Sequence, residues 1–285
     1  MPQSKEPDVI EISNAGTTAR INQQNKQLIS LIRQGKDVMW KGGAPEGYKP
    51  GFGWPNSEIM MFPIIGPAPN GEIAINGKHF RMDKHGIARD LPWQIADITP
   101  NQVAMAQTYE ANTEVRSSKG VISTFPLSYG LLKAYSINER GRLKFEIELE
   151  NRSEEVLPFF MGWHPAFVAQ ENSFLISVPQ PKGLKITELE EVKLARGNVM
   201  FFRGADAMVY GGSSFDLLLR HDFGYGTQVW NKEEGPVALE PISEMFLSRL
   251  EEGEETDLAL MKKSQKLEVG KKARFTAELE IIRPN

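Results

Sequence analysis

Strict alternation of apolar and polar residues is the feature that most constrains this chain, because a period of two fits a β-strand and not a helix. In residues 142–150 every second side chain is apolar, and residues 274–281 repeat the pattern. Each run predicts a strand with one buried and one solvated face. Helical periodicity is weak, and 25 Gly with 18 Pro interrupt most windows that could hold three helical turns. We therefore predict an all-β chain.

Turn and loop signals indicate how these strands are connected. Asn76-Gly77 lies between two short apolar runs and predicts a hairpin, because both residues accept the positive φ angles of a type I′ turn. Residues 41–69 are rich in Gly, Pro and aromatic side chains, which predicts a long loop leading into a strand near residues 60–65. No repeat or linker divides the chain. We expect residues 1–285 to form one domain, a large antiparallel β-sandwich.

Charge and cysteine content argue against several classes of partner. The chain has 33 basic and 37 acidic residues, a formal charge of -4, and no basic face, so nucleic acid and anionic membranes are poor partners. The absence of Cys removes disulfides, thiolate nucleophiles and Cys-rich zinc sites. Residues 1–8 are polar, and no apolar run reaches the roughly 20 residues of a membrane span. We expect a cytoplasmic protein that is a monomer or a homodimer.

Three short segments combine ionisable side chains with apolar residues and a Gly or Pro. They are His-Gly-Ile-Ala-Arg-Asp at residues 85–90, Gly-Trp-His-Pro-Ala-Phe at residues 162–167, and Leu-Glu-Pro at residues 239–241. This pattern is typical of strand ends that open onto a cleft. Two imidazoles, one carboxylate and one guanidinium are the groups that proton transfer on a neutral polyol requires. We therefore expect the three segments to form one site.

Other interpretations of these residues exist. An isolated histidine beside Gly or Pro is more often a turn or core residue than a functional one. His85, His164 and Glu240 are also ligand types that zinc accepts, but the chain has no close His-x-x-x-His pair. We predict no metal at this site.

In their order and spacing, the three segments resemble the aldose 1-epimerase (galactose mutarotase) family. The resemblance spans nearly the whole chain, from Val38-Met39-Trp40 through residues 61–66 and 85–93 to Glu240-Pro241. His-Gly-x-Ala-Arg followed by Trp, with His-Pro-x-Phe farther on, is specific in combination. The family implies a β-supersandwich and the interconversion of α and β anomers of an aldose, an isomerase activity without a cofactor. The chain is most similar to a divergent branch near the hexose-6-phosphate epimerases.

The resemblance also implies roles for individual residues. Opening a pyranose needs a base for the anomeric hydroxyl and an acid for the ring oxygen. By the resemblance Glu240 is the base and His164 the acid, and the two exchange roles when the ring closes. His85 corresponds to a histidine that hydrogen-bonds a ring hydroxyl or the ring oxygen.

Arg89 is the residue on which the substrate class depends, because a guanidinium binds either a pair of hydroxyls or a phosphate. The substrate is then a free sugar or a sugar phosphate, and hexose-6-phosphate 1-epimerase is the alternative activity. Trp93 and Trp163 are expected to present apolar faces to the sugar. The family's hydroxyl-binding aspartate has only Asp206 and Asp222 as candidate counterparts. Because hydroxyl ligands of the family are missing here, a third hypothesis is a carbohydrate-binding protein without catalysis.

Overall fold

The computed structural model describes residues 8–42, 54–179, 185–189, 191, 198–231, 235–245 and 255–284. These residues consist mainly of β-strands, with short 3₁₀ helices at Pro69–Gly71 and Ala88–Asp90. The described part of the chain contains no helix that is long and apolar enough to cross a membrane.

The strands of the first half are, in chain order, β1 (Val9–Asn14), β2 (Thr17–Asn22), β3 (Leu28–Arg33), β4 (Lys36–Asp37), β5 (Glu58–Met61), β6 (Glu72–Ile75), β7 (Lys78–Arg81), β8 (Gln94–Thr99), β9 (Gln102–Tyr109), β10 (Val115–Arg116), β11 (Ile122–Ser123), β12 (Tyr129–Ile137) and β13 (Leu143–Asn151). Those of the second half are β14 (Leu157–Phe159), β15 (Gly162–Phe167), β16 (Phe174–Pro179), β17 (Lys185–Glu188), β18 (Val199–Arg203), β19 (Ala205–Gly211), β20 (Phe215–His221), β21 (Gly226–Asn231), β22 (Val237–Ile242), β23 (Gln265–Leu267) and β24 (Lys272–Pro284).

Two large sheets form the body of the fold. One has nine strands in the order β17-β16-β19-β20-β24-β13-β12-β9-β8, and the other has five in the order β18-β21-β22-β15-β5. Strands β1 to β4 form a further sheet, and three two-stranded ribbons complete the described architecture. The pairs within both large sheets are antiparallel. The predicted all-β antiparallel fold is confirmed.

The two alternating runs of the sequence lie side by side in the nine-stranded sheet. Strand β13 pairs with β24 so that Leu143 faces Leu279 and Phe145 faces Ala277, and the apolar side chains of both strands are buried. Phe145 stacks on Trp163 of the five-stranded sheet with ring centroids 4.2 Å apart. The apolar stripe of the long strands is therefore the surface on which the five-stranded sheet packs.

The predicted hairpin and loop have different outcomes. Asn76 and Gly77 connect β6 to β7 with φ angles of 51° and 74°, as a type I′ turn requires. Of the predicted loop, residues 43–53 lie outside the described residues. The strand expected near residues 60–65 is β5, which begins at Glu58 and ends at Met61. It forms one edge of the five-stranded sheet, next to β15.

Candidate active site

His164 and Glu240 face each other because of strand register. Strands β15 and β22 pair at Gly162 with Ile242 and again farther along in the same register, which sets His164 directly opposite Glu240. Opposite residues of an antiparallel pair point to the same side of the sheet. The imidazole Nε2 of His164 lies 3.3 Å from the carboxylate Oε1 of Glu240, and the two side chains are 6% and 0% exposed. Two distant sequence segments thus form one buried acid-base pair.

Two prolines interrupt the hydrogen bonding between β15 and β22 next to His164 and Glu240. Pro165 and Pro241 each follow one member of the pair, and proline has no N–H with which to bond a neighbouring strand. In this described stretch, the pairing of β15 with β22 skips residues 163–165. The other edge of β15 stays paired, because His164 is opposite Ile59 of β5. Strands β15 and β22 are therefore paired before and after the level of His164 and Glu240, but not at that level.

Gln228 holds the second oxygen of the Glu240 carboxylate. The two residues are direct partners on β21 and β22, and Gln228 Nε2 donates to Glu240 Oε2 at 2.6 Å. Three buried polar atoms nearby have no hydrogen-bond partner among the described residues: His164 Nδ1, Gln228 Oε1 and Glu240 Oε1. Buried polar atoms without partners cost free energy. Hydroxyl groups of a ligand would provide hydrogen-bond partners for these three atoms.

Burial determines the protonation of the pair. It raises the pKa of Glu240 to about 8, although the Gln228 hydrogen bond and the Lys84 charge favour the carboxylate. It lowers the pKa of His164 to about 3, and the Lys84 charge acts in the same direction. At neutral pH the site therefore holds a protonated carboxyl and a neutral imidazole. The pair offers one acid and one base without net charge.

Two tryptophans form an aromatic wall around His164. Trp54 stacks on the imidazole with centroids 4.5 Å apart and planes at 28°. Trp230 meets the imidazole edge-on at 5.8 Å and lies 6.0 Å from Trp54. Trp230 follows Gln228 by two residues on β21, so both side chains point to the same side of the sheet. Both indoles are only half-buried, which leaves aromatic surface beside the pair.

His85 is held in a rigid turn against residues 62–66. Its N–H donates to the carbonyl of Gly66 at 2.8 Å, and its carbonyl accepts the N–H of Phe62 at 3.1 Å. His85 and Gly86 have φ angles of 69° and 75°, and a Cβ on Gly86 would lie 2.1 Å from the carbonyl oxygen of Phe62. Only glycine fits this close approach. The turn brings the His85 ring to 5.8 Å from His164, edge to face.

The tautomer of His85 is also set by this turn. The backbone N–H of Gly66 donates to His85 Nδ1 at 3.1 Å, so that nitrogen carries the lone pair and the proton of the neutral ring is on Nε2. Burial lowers the pKa of His85 well below its usual value. His85 is therefore a neutral imidazole that donates from Nε2.

Arg89 forms two charged hydrogen bonds with neighbouring carboxylates, one from Nη2 and one from Nε. Its Nη2 is 2.9 Å from Asp83 Oδ2 and its Nε is 3.3 Å from Asp90 Oδ2. The Arg89 charge lowers the pKa of His164, as expected for a neighbouring cation. Arg89 is therefore close enough to His164 to act on it electrostatically, while its guanidinium pairs with two carboxylates.

The structure places Trp163 and Trp93 away from the His164–Glu240 pair. Trp163 is fully buried, and its Nε1 donates to Glu58 Oε2 at 2.6 Å. Trp93 packs over the ammonium of Lys133, 4.9 Å from the ring centroid. The reason for the first difference is strand geometry, because Trp163 and His164 are consecutive and point to opposite faces. The aromatic wall expected from these residues is instead formed by Trp54 and Trp230.

Sequence reasoning missed Gln228, Trp54 and Trp230 as site residues. Gln228 and Trp230 have the spacing of one strand face, but that spacing is common to every strand. Only the knowledge that β21 adjoins β22 would have brought them to Glu240. Trp54 follows the segment at residues 43–53 and had no neighbouring motif.

The remaining candidate ligands are not at this site. The carboxylate of Asp222 accepts the backbone N–H of Thr276 at 2.6 Å, on the nine-stranded sheet, and Asp206 lies near His221. Among the described residues, no group of three His, Asp or Glu side chains is arranged to hold a metal ion.

Comparison with solved structures defines the class of fold. A galactose mutarotase-like protein from Lactobacillus casei superimposes with a TM-score of 0.76 at 19% sequence identity, covering 96% of this chain and 100% of that chain. Galactose 1-epimerase from Lactobacillus acidophilus gives 0.61 at 13% identity, covering 99% of this chain and 97% of that chain. The fold is that of the galactose mutarotase-like proteins.

Sequence comparison defines the family. Residues 8–210 match the aldose 1-epimerase family, and the chain belongs to it. The plasmid and chromosomal forms of protein LacX from Lactococcus lactis are 23% identical over 166 residues, which cover 55% of this chain and 50% of each relative. The chain thus matches about half the length of these curated relatives. The predicted family is confirmed.

Proposed function

We propose that this protein is an aldose 1-epimerase that interconverts the α and β anomers of a free hexose by acid-base opening and closing of the pyranose ring. The observation that carries the proposal is the 3.3 Å contact between the buried His164 Nε2 and Glu240 Oε1, beside the half-buried indoles of Trp54 and Trp230. Membership of the aldose 1-epimerase family supports the reaction class.

The reaction needs one proton acceptor and one proton donor, which this pair supplies. The base removes the proton of the C1 hydroxyl, the C1–O5 bond breaks, and the acid protonates O5, which gives the open-chain aldehyde. Rotation about C1–C2 exposes the other face of the carbonyl. The same protons then return in reverse order, and the pair recovers its starting state with no net consumption of acid or base.

The single proton of the pair permits two assignments of roles. In the neutral form, His164 Nε2 accepts the hydroxyl proton and the Glu240 carboxyl protonates O5. In the form that the family resemblance implies, Glu240 is the carboxylate base and His164 the imidazolium acid. The two forms carry the same number of protons, and burial favours the neutral form before a sugar binds.

The surroundings of the pair fit an uncharged polyol. His85 Nε2–H donates to a ring or hydroxyl oxygen, and Gln228 Oε1 accepts from a hydroxyl. The half-buried indoles of Trp54 and Trp230 pack against the C–H face of the ring. Two N–H groups of Arg89 are already bonded to carboxylates, which leaves less of its charge for a phosphate and favours a free sugar over a sugar phosphate.

NMR exchange between the α and β anomers of a panel of free aldoses and hexose 6-phosphates tests this proposal. The wild type is expected to accelerate exchange of at least one free aldose. Glu240→Gln and His164→Asn are each expected to lose about 10²–10⁴-fold in kcat. Glu148→Gln is the matched control, because Glu148 pairs with Lys272 on the other sheet. A wild type that binds sugar without accelerating exchange would instead identify a carbohydrate-binding protein, and preference for the phosphorylated sugars would identify the hexose-6-phosphate activity.

A further inference from the structure

A second buried polar cluster lies between the two large sheets, on the face of β15 opposite His164. Glu58 of β5 and Lys133 of β12 form an ion pair with Nζ and Oε1 3.1 Å apart, at 2% and 3% exposure of the two side chains. The Tyr135 hydroxyl donates to the same carboxylate, and Trp163 Nε1 donates to its Oε2 at 2.6 Å. The proposed reaction uses none of these four side chains.

Stability alone does not explain this cluster. Taking two charges out of water is costly, and replacing a buried ion pair by packed apolar residues is often neutral or stabilising. The Glu58 carboxylate is nevertheless fully satisfied by three donors from two other strands. A fully satisfied buried polar network rigidifies the elements that it joins and specifies how they pack.

The strand that this cluster fixes is the one that carries His164. Beside His164, β15 is bonded to β5 but not to β22, so one of its two edges is free at this level. Glu58 lies opposite Pro165 in the β5–β15 ladder, where proline donates no backbone hydrogen bond. The bond from Trp163 to Glu58 is therefore a side-chain link between β5 and β15, one residue before His164.

We propose that Glu58 is a positioning residue for His164, acting through the indole N–H of Trp163 to hold β15 in the orientation that directs the imidazole toward Glu240. The effect on turnover rests on the proposed epimerase function. The effect on the placement of His164 does not, and it is measurable in the absence of a substrate.

Two matched variants test this inference. Trp163→Phe and Tyr135→Phe each remove one donor to the Glu58 carboxylate, but only Trp163 is on β15. Phenylalanine at position 163 keeps the stacking on Phe145. Trp163→Phe is expected to shift the imidazole ¹H and ¹⁵N resonances of His164 and to lower kcat by roughly 10–100-fold with KM unchanged. Tyr135→Phe keeps the link from Trp163 to Glu58 and is expected to change the His164 resonances and kcat less than Trp163→Phe does.

The result that would overturn the inference is an unshifted His164 resonance in folded Trp163→Phe, or equal shifts in both variants. Should Trp163→Phe fail to fold, Glu58→Gln combined with Lys133→Met replaces it, since this pair leaves no unpaired buried charge. The amide accepts a weaker bond from Trp163, so a shift in His164 is again expected and its absence again contradicts the inference. A shifted His164 in a protein without epimerase activity would support the positioning role while rejecting the proposed function.

Discussion

His164 Nε2 and Glu240 Oε1 lie 3.3 Å apart because β15 and β22 place the two residues directly opposite each other. Prolines follow both residues, so the strands are not bonded to each other at this point. Burial keeps both side chains uncharged, with the Glu240 carboxyl protonated and the His164 imidazole neutral. That proton and the groups around it determine how the protein is expected to respond to pH and to substitution.

The activity is expected to depend on pH through this pair. Catalysis needs one acid and one base, and the pair loses its proton as pH rises through the pKa of Glu240, about 8. It gains a second proton only as pH falls through the pKa of His164, about 3. A profile of kcat/KM measured by anomer exchange should therefore be flat near neutrality and fall on the alkaline side. A limb at the ordinary histidine pKa of about 6.5 would contradict this protonation state.

Glu240→Gln is expected to stabilise the fold at alkaline pH. The folded-state pKa of Glu240 is raised from 4.5 to about 8, so its contribution to stability is fully present below pH 4.5 and is lost as pH rises through about 8. The glutamine amide of the variant has no proton to lose, and the variant should exceed the wild type by more than about 1 kcal/mol in the free energy of unfolding at pH 8. Urea unfolding of both proteins across this range measures the difference.

The controls for that measurement are a second titrating group of the site and a variant outside the site. The lowered pKa of His164 removes stability as pH falls from 6.5 toward about 3, but it does so in both proteins and cancels in the comparison. The Glu148→Gln variant should follow the wild type throughout. Parallel pH dependence in wild type and Glu240→Gln would show that Glu240 ionises in the folded state as it does in the unfolded one.

His85 is expected to remain a neutral Nε2–H tautomer throughout the range of about pH 5 to 8 in which an ordinary histidine titrates. The Gly66 N–H occupies Nδ1, and burial opposes a second proton on the ring. Long-range ¹H–¹⁵N NMR of the imidazoles checks both points, with the exposed His79 as an internal reference resonance. A His85 ring that carries its proton on Nδ1, or that titrates in this range, would contradict the hydrogen bond from Gly66.

Arg89→Met is expected to affect free and phosphorylated sugars alike. Its guanidinium is bonded to Asp83 and Asp90, so its removal leaves two partly buried carboxylates without their partner and perturbs the rim of the cleft. We expect a lower free energy of unfolding and equal factors of change in KM for both substrate types. A KM that rises only for hexose 6-phosphates would show that Arg89 binds the phosphate.

The strands could be predicted from the sequence more completely than the residues of the site. The alternating runs at residues 142–150 and 274–281 predicted β13 and β24, because a two-residue period has only one regular structural solution. The motifs likewise predicted that His85, His164 and Glu240 share one cleft, and the structure brings them together. Residues that reach the site only because of the order of strands in the sheet could not be predicted in this way. Strand order depends on contacts between distant parts of the sequence.

Three tryptophans illustrate this limit. Trp230 carries no motif and reaches His164 only because β21 lies next to β22. Trp163 was expected in the cleft because it adjoins His164, yet adjacency along a strand places the two side chains on opposite faces. Trp54 stacks on His164 from a loop, whose path no periodic pattern describes.

A double-mutant cycle of anomer exchange tests the central claim most directly. If His164 and Glu240 exchange the protons of one hemiacetal, removing either disables the pair, and His164→Asn, Glu240→Gln and the double variant should show nearly the same loss of kcat. Exchange in the double variant that is slower by the product of the two single losses would mean that the residues act independently. That result would contradict the account of a shared acid-base pair.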